Sequence, residues 1–259
     1  MKNKAPKINR LFYDIETSPN IGMFWRAGYD QNILHDSIIE ERKIITIAYK
    51  WESERKVHAL EWDSKMGDKK MLQEFLEVLT HADEAVAHYG DRFDFPWIKT
   101  RALFHGLDPM PFVKTIDTKK MASSNFYFNS NKLDYLAKFL GSSGKLKTTY
   151  SLWRDICLKN CRKSLGYMVR YNKKDVTELE FVYQKLVKWC KPQTHVGVLN
   201  NKDRWTSPFN GSDQVVTKKR KITAAGTTAW QMQCKTTGRY YQISESTHRE
   251  YLEAKKPIK

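Results

Sequence analysis

Between Arg10 and about Trp189, short β-type runs alternate with stretches of helical periodicity, and this alternation restricts the chain to a layered α/β fold. Leu11 to Glu16 reads as a strand followed by the turn-like Thr17-Ser18-Pro19-Asn20. Lys43 to Trp51 and Val57 to Trp62 are β-rich and come before the first helical pattern, Asp68 to Leu79. Three strands ahead of a helix imply an antiparallel meander. Shorter strands at Glu84–His88 and Val113–Ile116 bracket a helix from Phe95 to His105. Asn131 is expected to cap a helix over KLDYLAKFL, which Gly141 ends by accepting the left-handed stop conformation.

The last long helix carries Met168, Tyr171, Asp175, Leu179, Val182, Leu186 and Trp189 at three- and four-residue steps, forming one stripe. A carboxylate within an apolar stripe is costly to bury unless a positive partner, an Arg, a Lys or a metal ion, meets it there.

Beyond Pro192 the helical periodicity is lost and the chain becomes rich in Thr, Gly and Tyr. The expected organisation is therefore a domain over residues 1–192 and a smaller β-rich, basic one over 193–259. Residues 193–259 hold 12 Lys or Arg against 5 Asp or Glu, making this the more basic part per residue of a chain with net charge +16. Such a balance attracts polyanions, so nucleic acid is the first partner to consider. The basic run Lys218-Lys219-Arg220-Lys221 is expected in a hairpin or loop, where it could contact phosphates or simply be solvated. Cys157, Cys161, Cys190 and Cys234 are too unevenly spaced for a disulfide framework, which fits a reducing, cytoplasmic setting. The basic start MKNKAPKINR is followed by no apolar run, so neither a signal peptide nor a membrane segment is expected.

Three short segments carry carboxylates suited to chemistry. In Tyr13-Asp14-Ile15-Glu16, strand alternation puts Asp14 and Glu16 on one face about 7 Å apart, a spacing from which two acids can grip one cation. In His88-Tyr89-Gly90-Asp91-Arg92-Phe93-Asp94, Asp94 stands where a helix begins, as an N-cap or as a metal ligand. In Tyr171-Asn172-Lys173-Lys174-Asp175, a phenol and a carboxylate lie one turn apart on a helix face. Taken singly, each has a structural explanation.

In this order and spacing the three segments resemble the motifs of the DEDD superfamily of 3′→5′ exonucleases, which share the ribonuclease H-like fold with polymerase proofreading domains. YDIET resembles the first motif, HYGDRFDFPWI the second and YNKKD the third. Because Tyr171 precedes Asp175 by four positions, the match is to the tyrosine-type subgroup. The resemblance spans roughly residues 10–189, with Asp117 and Asp134 appearing as structural residues and Tyr89 standing where the family often has Asn. It implies a mixed β-sheet flanked by helices, with metal ligands at Asp14, Glu16, Asp94 and Asp175 and a water-orienting hydroxyl at Tyr171. It also implies release of 5′-mononucleotides.

All-oxygen ligands suit two Mg²⁺ or Mn²⁺ ions. One, on Asp14, Glu16 and Asp175, would activate a water, and the other, on Asp14 and Asp94, would steady the leaving 3′ oxygen. A single-stranded DNA 3′ end is the favoured substrate, and replication or repair proteins are the expected partners. Ribonuclease or endonuclease activity on the same fold, and a noncatalytic nucleic-acid-binding role, are the alternatives. Residues 195–243 loosely resemble a zinc ribbon. Ser207-Pro208-Phe209-Asn210-Gly211-Ser212 and Cys234-Lys235-Thr236-Thr237-Gly238 stand at the knuckles, and only Cys234 remains of the ligands, so no structural zinc is expected. Trp205, Trp230, Tyr240 and Tyr241 are expected to form a small aromatic core there.

Overall fold

A computed structural model describes residues 8–26, 28, 32–142 and 148–256; the basic stretch before Ile8 lies outside them. β1 (Arg10–Thr17) leads through a two-stranded ladder, β2 (Ile21–Gly22) and β3 (Ile38–Glu40), to β4 (Ile44–Trp51) and β5 (His58–Glu61). Then come α1 (Lys69–Thr80), β6 (Glu84–Ala87), α2 (Asp94–Phe104), β7 (Lys114–Asp117), α3 (Thr118–Asn125), α4 (Leu133–Phe139), α5 (Tyr150–Lys159) and α6 (Arg162–Leu186). The five-stranded sheet runs β5-β4-β1-β6-β7, with β1, β4 and β5 antiparallel and β6 and β7 parallel to β1. The mixed sheet flanked by helices and the opening meander are those expected.

Both faces of the sheet are covered, which explains why β1 carries apolar residues on each. Tyr13 meets Phe75 of α1 and Phe95 of α2 at ring separations of 5.4 and 5.5 Å. On the opposite face Phe12 meets Tyr183 of α6 edge-on at 5.3 Å. All five residues are buried, and burial of each such side chain contributes about 1.5–3 kcal/mol. The buried stripe of α6 includes Leu165, Met168, Val176, Leu179, Val182 and Leu186. Trp189, expected on that stripe, lies past the helix end and is 78% exposed.

One local expectation is corrected. Asn131 does not cap α4: Lys132 holds the capping position with no side-chain bond, while the Asn131 carbonyl accepts from His88 Nε2 at 2.9 Å. Asp68, at the capping position of α1, makes no side-chain cap bond, because its buried carboxylate is used elsewhere. It accepts from Ile44 N–H at 3.0 Å and from Arg101 Nε and Nη2 at 2.8 and 2.9 Å, and pairs with His105 Nε2 at 2.6 Å. Gly141 does take the left-handed conformation expected of it, at φ 95°.

The chain separates into two compact units, Asn9–Leu186 and a second beginning at Val187. The Arg239 guanidinium donates to the carbonyls of Val187 and Cys190 at 2.9 and 2.6 Å, which ties that stretch to the second unit. This unit contains α7 (Val196–Leu199), the antiparallel strands β8 (Val215–Ile222), β9 (Thr228–Cys234) and β10 (Tyr240–Ser244), and α8 (Glu245–Ala254). The ten-residue α8 departs from the reading of the tail as having lost helical periodicity. Its first turn is fixed by Ser244, whose Oγ accepts the Thr247 N–H at 3.2 Å.

Trp205 and Tyr241 pack with Val215, Met232, Cys234 and Ile243, and Trp230 lies against them. Tyr240 does not join this core. Alternation along β10 turns Tyr241 and Ile243 inward and leaves Tyr240 54% exposed.

Candidate metal centre

Asp14 and Glu16 lie near the carboxyl end of β1, facing α6 rather than the Tyr13 core. The β1–β4 register slips beside them: Glu16 pairs with Thr46 but Thr17 with Ile44, an irregularity of the kind that re-aims side chains at strand ends. From α6, Asp175 is presented to the same place. Carboxylate oxygens of Asp14, Glu16 and Asp175 all lie within 4.8 Å of one another, forming a group that could hold a metal ion. Unit negative charges 4 Å apart repel by about 4 kcal/mol at an effective dielectric of 20. The all-oxygen donor set fits a hard divalent cation.

A residue that sequence reasoning passed over joins them. Asn172 is fully buried, and its Nδ2 donates to Asp14 Oδ2 at 2.7 Å and to the Asp14 carbonyl at 3.2 Å. It fixes both the side chain and the backbone of Asp14. The available signal was its position three residues before Asp175, which puts both on one helix face. One turn beyond Asp175, buried Glu178 pairs with Lys174 Nζ at 2.5 Å and accepts from the Ser142 hydroxyl.

Asp94 stands beside the trio rather than in it. It is the first residue of α2, with Phe93 at the capping position, and its Oδ1 accepts the Ile15 N–H at 3.1 Å. The bond places its carboxylate against the strand residue between Asp14 and Glu16. Burial pushes the Asp94 carboxyl up to about 7, against the lowering effect of the Ile15 N–H and its own N–H, with Asp117 adding to the rise. A nearby cation would favour the charged form instead.

The loop before Asp94 is shaped by two residues. A side chain on Gly90 would come within 2.5 Å of the Ala87 Cβ, so only glycine fits. Tyr89 takes a left-handed backbone at φ 67°, is 43% exposed, and has Lys119 Nζ over its ring at 3.7 Å. Asp117 caps α3 through Lys119 and Lys120 N–H and also accepts from Tyr89 N–H at 2.9 Å. Asp134 pairs with Lys138 at 2.8 Å on an exposed helix face. Both aspartates thus make structural contacts. Tyr171 is half-buried and packs against the cluster formed by Ile45, Trp62, Ile156, Leu165 and Met168.

In the C-terminal unit, Lys218, Lys219, Arg220 and Lys221 lie within β8, an outer strand of the three-stranded sheet. Pairing skips Lys218, so the strand bulges there. Lysines and a bulge on an edge strand also discourage pairing with other chains, a structural role that competes with phosphate contact.

The two knuckle-like turns are built alike. Gly211 N–H donates to the Ser207 carbonyl at 2.7 Å and Gly238 N–H to the Cys234 carbonyl at 2.8 Å, and both glycines have positive φ. Between the turns the Cys234 Sγ lies 3.1 Å from Thr236 Oγ1 and 3.7 Å from Asn210 Oδ1. Burial raises the Cys234 thiol, but hydrogen bonds from Ser207, Thr236 and Thr237 outweigh it and bring the thiol down to about 7. One thiol among hydroxyls and an amide is not a zinc donor set.

A family model of the RNase_H superfamily, RNase_H_2, matches residues 11–187. Among solved structures, the fold is similar to the family B DNA polymerase from the hyperthermophilic archaeon Pyrobaculum calidifontis. The TM-score is 0.55 and the identity 15%, over 71% of this chain and 25% of the polymerase chain. The chain thus spans a quarter of that polymerase. No curated protein matches it. Among the described residues, no helix is long and apolar enough to cross a membrane.

Proposed function

Because the chain belongs to the RNase_H superfamily, we propose that it is a divalent-metal-dependent 3′→5′ exonuclease that shortens nucleic acid, DNA by preference, to 5′-mononucleotides. The observation that carries this reading is the convergence of Asp14, Glu16 and Asp175 oxygens within 4.8 Å, from elements far apart in the chain. The preference for DNA draws support from the similarity to a DNA polymerase.

In this reading Asp14, Glu16 and Asp175 hold one Mg²⁺ or Mn²⁺, and Asp94, set against β1 through Ile15, serves a second together with Asp14. The chemistry supplied by such ions when bound is activation of a water and stabilisation of the departing 3′ oxygen. The chain's own residues provide the positioning. Asn172 locks Asp14 in one orientation through its 2.7 Å bond. Tyr171, its ring fixed by packing and one turn from Asp175, orients the attacking water with its hydroxyl. Lys218 to Lys221, mostly exposed along β8, contact the phosphates of the incoming strand.

The test compares release of nucleotides from end-labelled single-stranded DNA, duplex DNA and RNA, each with Mg²⁺, Mn²⁺ or EDTA. The expected result is metal-dependent release, with single-stranded DNA the best substrate, abolished in folded Asp14→Asn and Asp175→Asn. Full activity of purified Asp14→Asn would defeat the proposal.

A further inference from the structure

A groove of about 830 Å³ opens on the C-terminal unit, well apart in sequence from the carboxylates. Its walls include Lys188, Trp189, Lys191, Arg204, Arg239 and Tyr240, and among the described residues no Asp or Glu lines it. Two large aromatic rings lie at its surface, Trp189 at 78% exposure and Tyr240 at 54%. Exposure of such rings costs hydrophobic free energy, and two of them beside the exposed Lys188, Lys191 and Arg204 are suited to a binding surface.

The groove is also held in shape. The Arg239 guanidinium stacks on the Phe209 ring at 3.7 Å while donating to the carbonyls of Val187 and Cys190. It thereby holds the turn that carries Trp189 against the strand start that carries Tyr240. Lys188, Lys191 and Arg204 are left exposed at the rim.

We propose that this groove is a second nucleic-acid site, which holds single-stranded DNA or RNA by stacking bases on Trp189 and Tyr240 and pairing phosphates with Lys188, Lys191 and Arg204. Charge complementarity selects a polyanion. The aromatic rings select one with accessible π-faces, since bases in a duplex are already stacked on each other while those of a single strand are free. An acidic peptide would satisfy the cations but leave both rings in water. The inference deepens the nuclease reading by placing a hold on the strand outside the metal centre, and its test involves no catalysis.

Binding of the full chain to a fluorescein-labelled oligothymidylate is measured by anisotropy in EDTA across a salt titration. The Trp189→Ala/Tyr240→Ala variant is expected to weaken binding roughly tenfold or more, with circular dichroism unchanged, whereas Trp189→Phe retains binding. Lys188→Ala/Lys191→Ala/Arg204→Ala is expected to reduce the slope of log affinity against log salt by about 2, the share of three phosphate contacts on a single strand. Wild-type affinity in the aromatic double variant, an unchanged salt slope in the triple variant, or a polyglutamate peptide bound as tightly as the oligonucleotide would each overturn the proposal. A chain without nuclease activity that still shows these losses would refute the exonuclease reading and leave the groove standing.

Discussion

Asn172→Ala removes a side chain that holds Asp14 through two hydrogen bonds, and the consequence follows from them. The amide donates to a carboxylate oxygen at 2.7 Å from a fully buried position, so the bond is charge-assisted and shielded from water. Hydrogen bonds to charged groups contribute about 1.5–3 kcal/mol. If that energy holds Asp14 in its metal-binding orientation, its loss corresponds to roughly 10- to 100-fold in metal affinity, the range seen when residues supporting metal ligands are removed. The assay is nucleotide release from a labelled oligonucleotide as a function of Mg²⁺ concentration. The midpoint is expected to rise by about 10- to 100-fold, with much of the rate recovered at saturating metal. Asn172→Asp keeps the shape but sets a further negative charge against Asp14, and is expected to lose more. A metal midpoint unchanged in Asn172→Ala would refute the assignment and leave Asn172 as a packing residue.

Tyr171→Phe is expected to lower the turnover rate partially while leaving the metal midpoint in place, because only an orienting hydroxyl is lost; an unchanged rate would reassign Tyr171 to the cluster it packs against. Replacing Lys218, Lys219, Arg220 and Lys221 together with Ala should weaken substrate binding and flatten its salt dependence while sparing turnover at saturation, and identical salt titrations would dismiss the role. Arg101→Ala leaves the buried Asp68 carboxylate to His105 and the Ile44 N–H and should cost up to about 3–5 kcal/mol in urea denaturation; a loss under about 1 kcal/mol would contradict the pairing. Burial lowers the pKa of His248, which stacks on Trp230 at 3.9 Å, despite the opposing charge of Glu245. The unfolded chain therefore takes up this proton first as pH falls below about 6.5, so stability present at neutral pH is lost on acidification. His248→Phe should flatten that dependence between neutral and mildly acidic pH, and an unaltered slope in the variant would exclude His248 as its source.

The parts of the fold legible in the sequence were those with a strong local period. β1, β4, α1, α2 and the body of α6 each carry their burial pattern in consecutive residues, and the carboxylates of β1 and α6 were visible because they interrupt those patterns. What was not legible depends on partners distant in sequence. Asn131 reads as a helix cap until its carbonyl turns to His88, and no local pattern marks Asp68 as the partner of Arg101 and Ile44. The same applies within the site. Asn172 is one polar residue among several on α6, and only the approach of β1 gives its amide a target. Asp94 was recognisable from its place before a helix, but its attachment to the Ile15 N–H required the sheet. In the C-terminal unit, α8 was hidden because its ten residues hold only two buried side chains, Thr247 and His248, which are too polar to mark an apolar face.

The proposed exonuclease activity requires that strands be consumed from an end. The direct measurement is a time course of Mg²⁺-dependent digestion of a 5′-labelled linear single strand beside a covalently closed circle of the same sequence. A ladder of labelled products shortening stepwise on the linear strand, with the circle intact, is the predicted result. Cutting of the circle, or a linear strand that survives with metal present, would contradict it.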